Sequence, residues 1–209
     1  MSDGQARVPL DLVPISLIAP RLKRVAVGAV ILGSIIGIAV GLFTDLWLGV
    51  AVFVVVAVPT AATALIALRR GIALEGNVIR STGGLREKHV DVSAAVGAEI
   101  LVRSGRVSEV SVKVTTQSGA VAVPLALYTE DGGRELEILG LRGLADALSR
   151  SESVAAVAIA SVLIDQLRAE ARGAGLLERP LYRAVSLVKS TGRPPRTTLT
   201  DHEVSQLSS

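Results

Sequence analysis

Residues Val25–Leu68 read VAVGAVILGSIIGIAVGLFTDLWLGVAVFVVVAVPTAATALIAL, and across these 44 positions the only charged side chain is Asp45. Asp45 divides the stretch into Val25–Phe43 and Leu46–Leu68, of 19 and 23 residues. As helices these reach ~28 and ~35 Å, against a hydrocarbon core of ~30 Å. Aspartate is costly at mid-bilayer, so Thr44-Asp45 marks a turn outside the hydrocarbon, with Trp47 beside it as an interfacial anchor. So short a turn makes the two helices antiparallel neighbours.

The flanks orient the hairpin. Arg21, Lys23 and Arg24 precede the first span, Arg69 and Arg70 follow the second, and the loop between carries no Lys or Arg. The positive-inside rule therefore predicts a two-span protein of the inner (plasma) membrane with both termini in the cytoplasm. A cleaved signal peptide competes with this. It is weakened by the 24-residue lead and by the absence of a clear A-x-A site. A soluble protein with two buried helices also competes.

In the first span Gly33, Gly37 and Gly41 recur every fourth position on one face, and Ala29 extends the row. Small residues at that spacing let backbones approach, which predicts a packing seam with the second span or with another copy. Ala57, Ala61 and Ala64 offer a matching face. Pro59 removes a helical donor and should free the Val55 carbonyl, with Thr60 or Thr63 compensating. The spans hold no acid, base or amide, which argues against a substrate path.

The whole chain is 209 residues, 50% hydrophobic and only 2% aromatic, so a soluble core must be built from Val, Leu, Ile and Ala. Mean hydropathy is +0.53, normal for a small membrane protein with a soluble part. There is no cysteine, which excludes disulfides, thiolate metal sites and cysteine nucleophiles. A formal charge of +3 and few stacking aromatics argue against nucleic acid. His89 and His202 have no second ligand at metal spacing, and no H-E-x-x-H, G-x-S-x-G or Walker A pattern occurs. No catalytic residue, cofactor, metal or small-molecule substrate is expected.

Residues 1–24 read as a cytoplasmic lead, irregular over Val8–Pro20 because of Pro9, Pro14 and Pro20, and disordered over 1–7. The hairpin takes 25–70, and from 71 to 149 the periodicity changes to short alternating runs. Ile72–Glu75 and Val78–Ser81 flank a Gly76-Asn77 turn. Arg86–Val92, Ala98–Arg103, Glu109–Thr116, Ala120–Leu127 and Glu135–Leu139 follow, with Val110, Val112 and Val114 on one face. Pro124 belongs at an edge or bulge. This predicts a small antiparallel sheet or barrel, closed by a helix whose apolar stripe is Leu141, Leu144, Ala145 and Leu148.

The strand-rich module, its closing helix and its place after a two-span hairpin resemble the bacterial pleckstrin-homology-like domains of small membrane proteins, of the actinobacterial type. The segment Ile72–Val92, IALEGNVIRSTGGLREKHVDV, is similar to their opening of apolar strand, glycine turn, strand and basic strand. The resemblance covers Ile72 to about Ser149 and includes no invariant motif. It implies an α+β membrane protein with a PH-like barrel or sheet. In lipid-binding members of that fold, basic residues on the first strands hold phosphates, which here implies Arg80, Arg86 and Lys88, with Glu87 and Asp91 interleaved.

Ser149-x-x-Glu152 fits a capping box opening a helix over 150–175. Its first half, Val154–Ile164, is too short to span a bilayer and is expected to pack on the β-module or on a partner. Pro180–Lys189 suggests a short strand or contact segment. Ser190–Ser209 is expected to be disordered, with Thr197, Thr198 and Thr200 as conceivable kinase acceptors. The function expected is a non-enzymatic scaffold or accessory subunit working with the bilayer and with other membrane proteins or itself. A sensor of anionic lipid headgroups and an unrecognised enzyme are the alternatives.

Overall fold

The computed structural model describes residues 7–12, 15–68, 71–83, 87–130 and 132–207. The chain is α+β, with two apolar helices followed by two antiparallel sheets and further helices. The described residues form two compact units, one holding 15–68, 71, 82–83 and 87, the other holding 7–12, 72–81, 88–130 and 132–207.

In the helical unit, α1 (Ile15–Phe43) and α2 (Leu46–Leu68) flank Thr44-Asp45. The Thr44 N–H and hydroxyl both donate to the Val40 carbonyl, closing the first helix, and the Asp45 carbonyl accepts from the Gly49 N–H to open the second. Both helices are long and apolar enough to cross a membrane, yet only 11% of each apolar window is buried. α1 begins ten residues before Val25. The N-terminal lead is therefore helical from Ile15 and passes through Pro20, Arg21, Lys23 and Arg24. Pro20 lies inside α1, past its first turn, so one helical backbone donor is missing there. α2 runs through Pro59 as helix. The Thr60 hydroxyl donates to Val56 and the Thr63 hydroxyl to Thr60, so neither compensates the Val55 carbonyl.

In the second unit, β1 (Val8–Pro9), β2 (Gly71–Glu75), β3 (Val78–Thr82) and β4 (Glu87–Asp91) form a sheet in that order. Residues expected to be irregular thus supply an edge strand, with Val8 opposite Leu74. Gly76 turns the β2–β3 hairpin at φ 61°, a conformation that glycine adopts at no steric cost. The Asp91 carboxylate accepts from the Ser93 N–H and hydroxyl and caps a single 3₁₀ turn, Val92–Ala94, through which the chain leaves this sheet.

The larger sheet contains β5 (Ala95–Arg103), β6 (Ser108–Thr116), β7 (Gly119–Thr129), β8 (Gly132–Glu135) and β9 (Arg196–Thr198), ordered β8-β7-β6-β5-β9. On β6 Val110, Val112 and Val114 are fully buried, following the alternation of the sequence. The pairing of β6 with β7 slips between Val110 and Ser111, opposite Pro124, which sits at that irregularity. The two sheets do not close into a barrel. The β5 edge that closure would need is occupied over Leu101–Arg103 by β9, which arrives from the C-terminal segment.

Four helices complete the unit: α3 (Ile138–Ser149), α4 (Val154–Ala171), α5 (Pro180–Ser190) and α6 (Asp201–Leu207). Leu141, Leu144, Ala145 and Leu148 are buried, as their helical spacing predicts. The apolar half of α4 buries Ile159, Val162 and Leu163 in a single core shared with both sheets. Three expectations need correction here. The strand expected over Glu135–Leu139 ends at Glu135, and α3 begins at Ile138. Ser149 closes α3, its hydroxyl donating to the Ala145 carbonyl, so it does not cap α4. Pro180 is the first residue of a helix, where its missing N–H costs nothing.

The tail over 190–207 is ordered as well. Leu199, Val204 and Leu207 are buried in the common core, which offsets the entropy of fixing a polar segment. The Thr200 N–H and hydroxyl donate to the Glu203 carboxylate, and the Glu203 N–H donates back to the Thr200 hydroxyl. This reciprocal pair is the capping box of α6.

Candidate functional site

The glycine row of α1 faces α2. A Cβ on Gly33 would lie 3.2 Å from the Ala57 Cβ, and one on Gly37 would lie 2.8 Å from the Gly49 carbonyl oxygen and 3.0 Å from the Phe53 Cβ. Gly41 is packed more loosely, 3.8 Å from Gly49 and Leu46. The α2 side of this seam is Gly49, Phe53 and Ala57, a row of period four that includes a glycine not singled out from the sequence. A Cβ on Gly49 would overlap the Gly37 carbonyl oxygen and lie 2.9 Å from the Gly41 backbone. Ala57 and Ala64 are buried, while Ala61 is partly exposed. The seam is therefore a backbone-to-backbone contact inside one hairpin.

Of the three cations suggested for headgroups, Arg80 and Lys88 are among the described residues. Arg86 lies outside the described residues. On β3 the Arg80 Nε is 2.7 Å from one oxygen of the Glu75 carboxylate, and the Arg7 Nε is 3.6 Å from the other. Lys88 is exposed on β4. Ile79, next to Arg80, and Val90, two residues from Lys88, both point into the core. Strand alternation therefore puts Arg80 and Lys88 on opposite faces of the sheet. The threonines suggested as kinase acceptors are built into structure. Thr197 and Thr198 lie in β9, and the Thr200 hydroxyl is engaged by Glu203.

The most developed polar site forms around Glu135, at the end of β8. The Tyr128 hydroxyl donates to Oε1 at 2.6 Å, while the Gln166 amide and an Arg179 Nη donate to Oε2 at 2.8 and 2.6 Å. Only 8% of the Glu135 side chain is exposed. Strand, helix and loop each contribute for a reason. Gly133 stands opposite Tyr128 across the β7–β8 pair, and a Cβ there would overlap the Tyr128 ring. The absent side chain lets the ring lie over the strand. Tyr182 of α5 meets that ring edge-on, with centroids 5.1 Å apart. Gln166 of α4 uses its other end to accept from the Leu181 N–H, one of the unpaired donors in the first turn of α5. The Arg179 Nε donates to the Ala174 carbonyl, which fixes the guanidinium. Burial first, and then the bond to Glu135, hold the Tyr128 hydroxyl protonated far above the ordinary phenol range.

Beside this cluster opens a cleft of about 490 Å³, lined by Gly133, Glu135, Leu136, Glu137, Ile138, Leu139, Glu170, Leu176 and Arg179. Among the described residues, no three His, Asp or Glu side chains converge as a metal site. Both oxygens of Glu135 are saturated by donors and Tyr128 is held as a neutral phenol. The cluster thus offers a fixed charge and shape beside the cleft. Nothing in the sequence marked it, since its parts lie on β7, β8, α4 and the loop before α5. A scan against family models and searches of curated proteins and of solved structures return no match.

Proposed function

We propose that the protein is a membrane-anchored scaffold or accessory subunit: the α1–α2 hairpin crosses the inner membrane with Asp45 outside, and the α+β unit works in the cytoplasm. One observation carries the membrane part. Val25, Ile35, Leu42 and Val55 are from 58% to 80% exposed, on helices that pack against each other along the glycine seam. A soluble protein would bury such surfaces, and lipid solvates them. The flanking arginines and lysine support the orientation. The scaffold role is supported by a hairpin without polar machinery and by a cytoplasmic unit whose best-formed polar cluster is saturated. Kinship with PH-like modules belongs to the same proposal, supported by an antiparallel strand series followed by the amphipathic α3.

The test is cross-linking and mass spectrometry in native membranes after an alkaline carbonate wash. The protein should stay with the membrane pellet and cross-link through its α+β unit to a reproducible set of membrane proteins or to itself. Release into the wash would contradict the membrane anchor. Retention with no specific cross-link would contradict the scaffold.

A further inference from the structure

We infer that the cleft beside Glu135 is a docking site for an extended peptide segment of a partner protein, one that carries an arginine or lysine between apolar side chains. The inference deepens the scaffold proposal and rests on it, by naming what the cytoplasmic unit holds.

Three independent features define the occupant. First, the rim is apolar and uncovered: Ile138, Leu139 and Leu176, which line one concavity, are 55%, 70% and 37% exposed. Large apolar side chains gathered at one cleft in water mark an interaction surface. Second, the lining is acidic. Glu135, Glu137 and Glu170 face it, and among the described residues Arg179 is the only lining cation. Arg179 is committed to Glu135 and to the Ala174 carbonyl, and Arg134 points to the other face of β8 by alternation. The Glu170 Oε2 is buried and accepts no hydrogen bond. The negative charge beside the cleft is therefore not offset by a hydrogen bond at that oxygen. A guanidinium or ammonium in the cleft balances that charge electrostatically. Third, β8 lies at the end of its sheet, paired only with β7. An extended backbone can add along that edge and drop alternate side chains into the cleft, which favours a peptide over a small amine. The volume suits one long cationic side chain with apolar neighbours, not a folded domain.

The full-length protein, reconstituted in nanodiscs, is applied to an array of immobilised nonapeptides. These have Leu, Ile, Val or Ala at the flanking positions and Arg, Lys, citrulline or Glu at the centre. The expected order is Arg and Lys above citrulline, by about tenfold, with Glu lowest. Glu170→Gln and Leu139→Ser should each weaken binding of the Arg peptides by about fivefold or more. Leu139 is a surface residue, so its variant keeps the fold and isolates the cleft. Equal binding of Arg and citrulline peptides, or no bound peptide, would overturn the inference. So would undiminished binding by both variants, or a self-association lost in Leu139→Ser without any peptide binding. Peptide binding in a protein with no membrane partner would fault the scaffold proposal alone. Specific cross-links with no peptide binding would fault the cleft alone.

Discussion

An Arg179 Nη lies 2.6 Å from the Glu135 carboxylate, and their side chains are 23% and 8% exposed. This pair ties the segment before α5 to the end of β8, with Gln166 bridging from α4. Removing one member leaves the other charge buried, which typically costs ~3–5 kcal/mol. Glu135→Ala should therefore lower unfolding stability by about that amount in urea titrations. The double variant Glu135→Leu with Arg179→Met should recover much of it, since neither charge is then stranded. A double variant no more stable than Glu135→Ala would contradict a coupled pair.

The hairpin seam makes a sharper steric prediction. Gly37→Ala and Gly49→Ala each insert a methyl where a backbone carbonyl already stands, and overpacking of this kind costs ~1–3 kcal/mol. Gly28 has nothing within 4 Å of its would-be Cβ, so Gly28→Ala should be neutral or slightly stabilising. Thermal denaturation in detergent micelles should rank Gly28→Ala above both seam variants. The reverse ranking would remove the seam.

Glu203 sets a pH dependence. Arg193 first, with the Thr200 N–H next, holds its carboxyl down at about 2 from an ordinary 4.5. A carboxyl depressed in the folded state contributes stability that is complete above the unfolded value and is lost as pH falls through the folded one. Wild type should therefore exceed Glu203→Gln in thermal stability at neutral pH. The difference should shrink as pH falls below about 4.5 and vanish near 2. A constant difference across that window would show that the carboxylate is not what holds the tail.

The tail itself guards a sheet edge. β9 pairs with Leu101–Arg103 of β5, and a chain ending at Thr191 would uncover that edge together with the core beneath Leu199 and Val204. Exposed edges template intermolecular pairing. The truncated protein should self-associate in light scattering where the full chain stays disperse. Thr200→Val, which removes only the cap, should cost ~1 kcal/mol without self-association.

Much of the fold is legible in the sequence where order is local. The apolar run Val25–Leu68 announces two long helices, Val110, Val112 and Val114 announce a half-buried strand, and Leu141, Leu144 and Leu148 announce a helix face. What escapes is set by distant partners. Glu135 finds Gln166 and Arg179 at separations of 31 and 44 residues, which no periodicity encodes. β9 reads as a polar, proline-flanked tail because it only completes an edge supplied by β5. Its signals were Leu199, Val204 and Leu207 spaced among polar residues, and Thr200-x-x-Glu203 before them. Gly49 was readable, four residues before Phe53 and eight before Ala57, once the α2 row is counted from its start.

The proposed membrane hairpin with a cytoplasmic domain is tested most directly by cysteine labelling, because the chain has no native cysteine to interfere. Asp45→Cys places a thiol in the α1–α2 turn, and Gln117→Cys places one at the exposed β6–β7 turn. With a membrane-impermeant maleimide on intact cells, Asp45→Cys should label, and Gln117→Cys should label only after lysis. Labelling of Gln117→Cys in intact cells while Asp45→Cys stays protected would contradict the account.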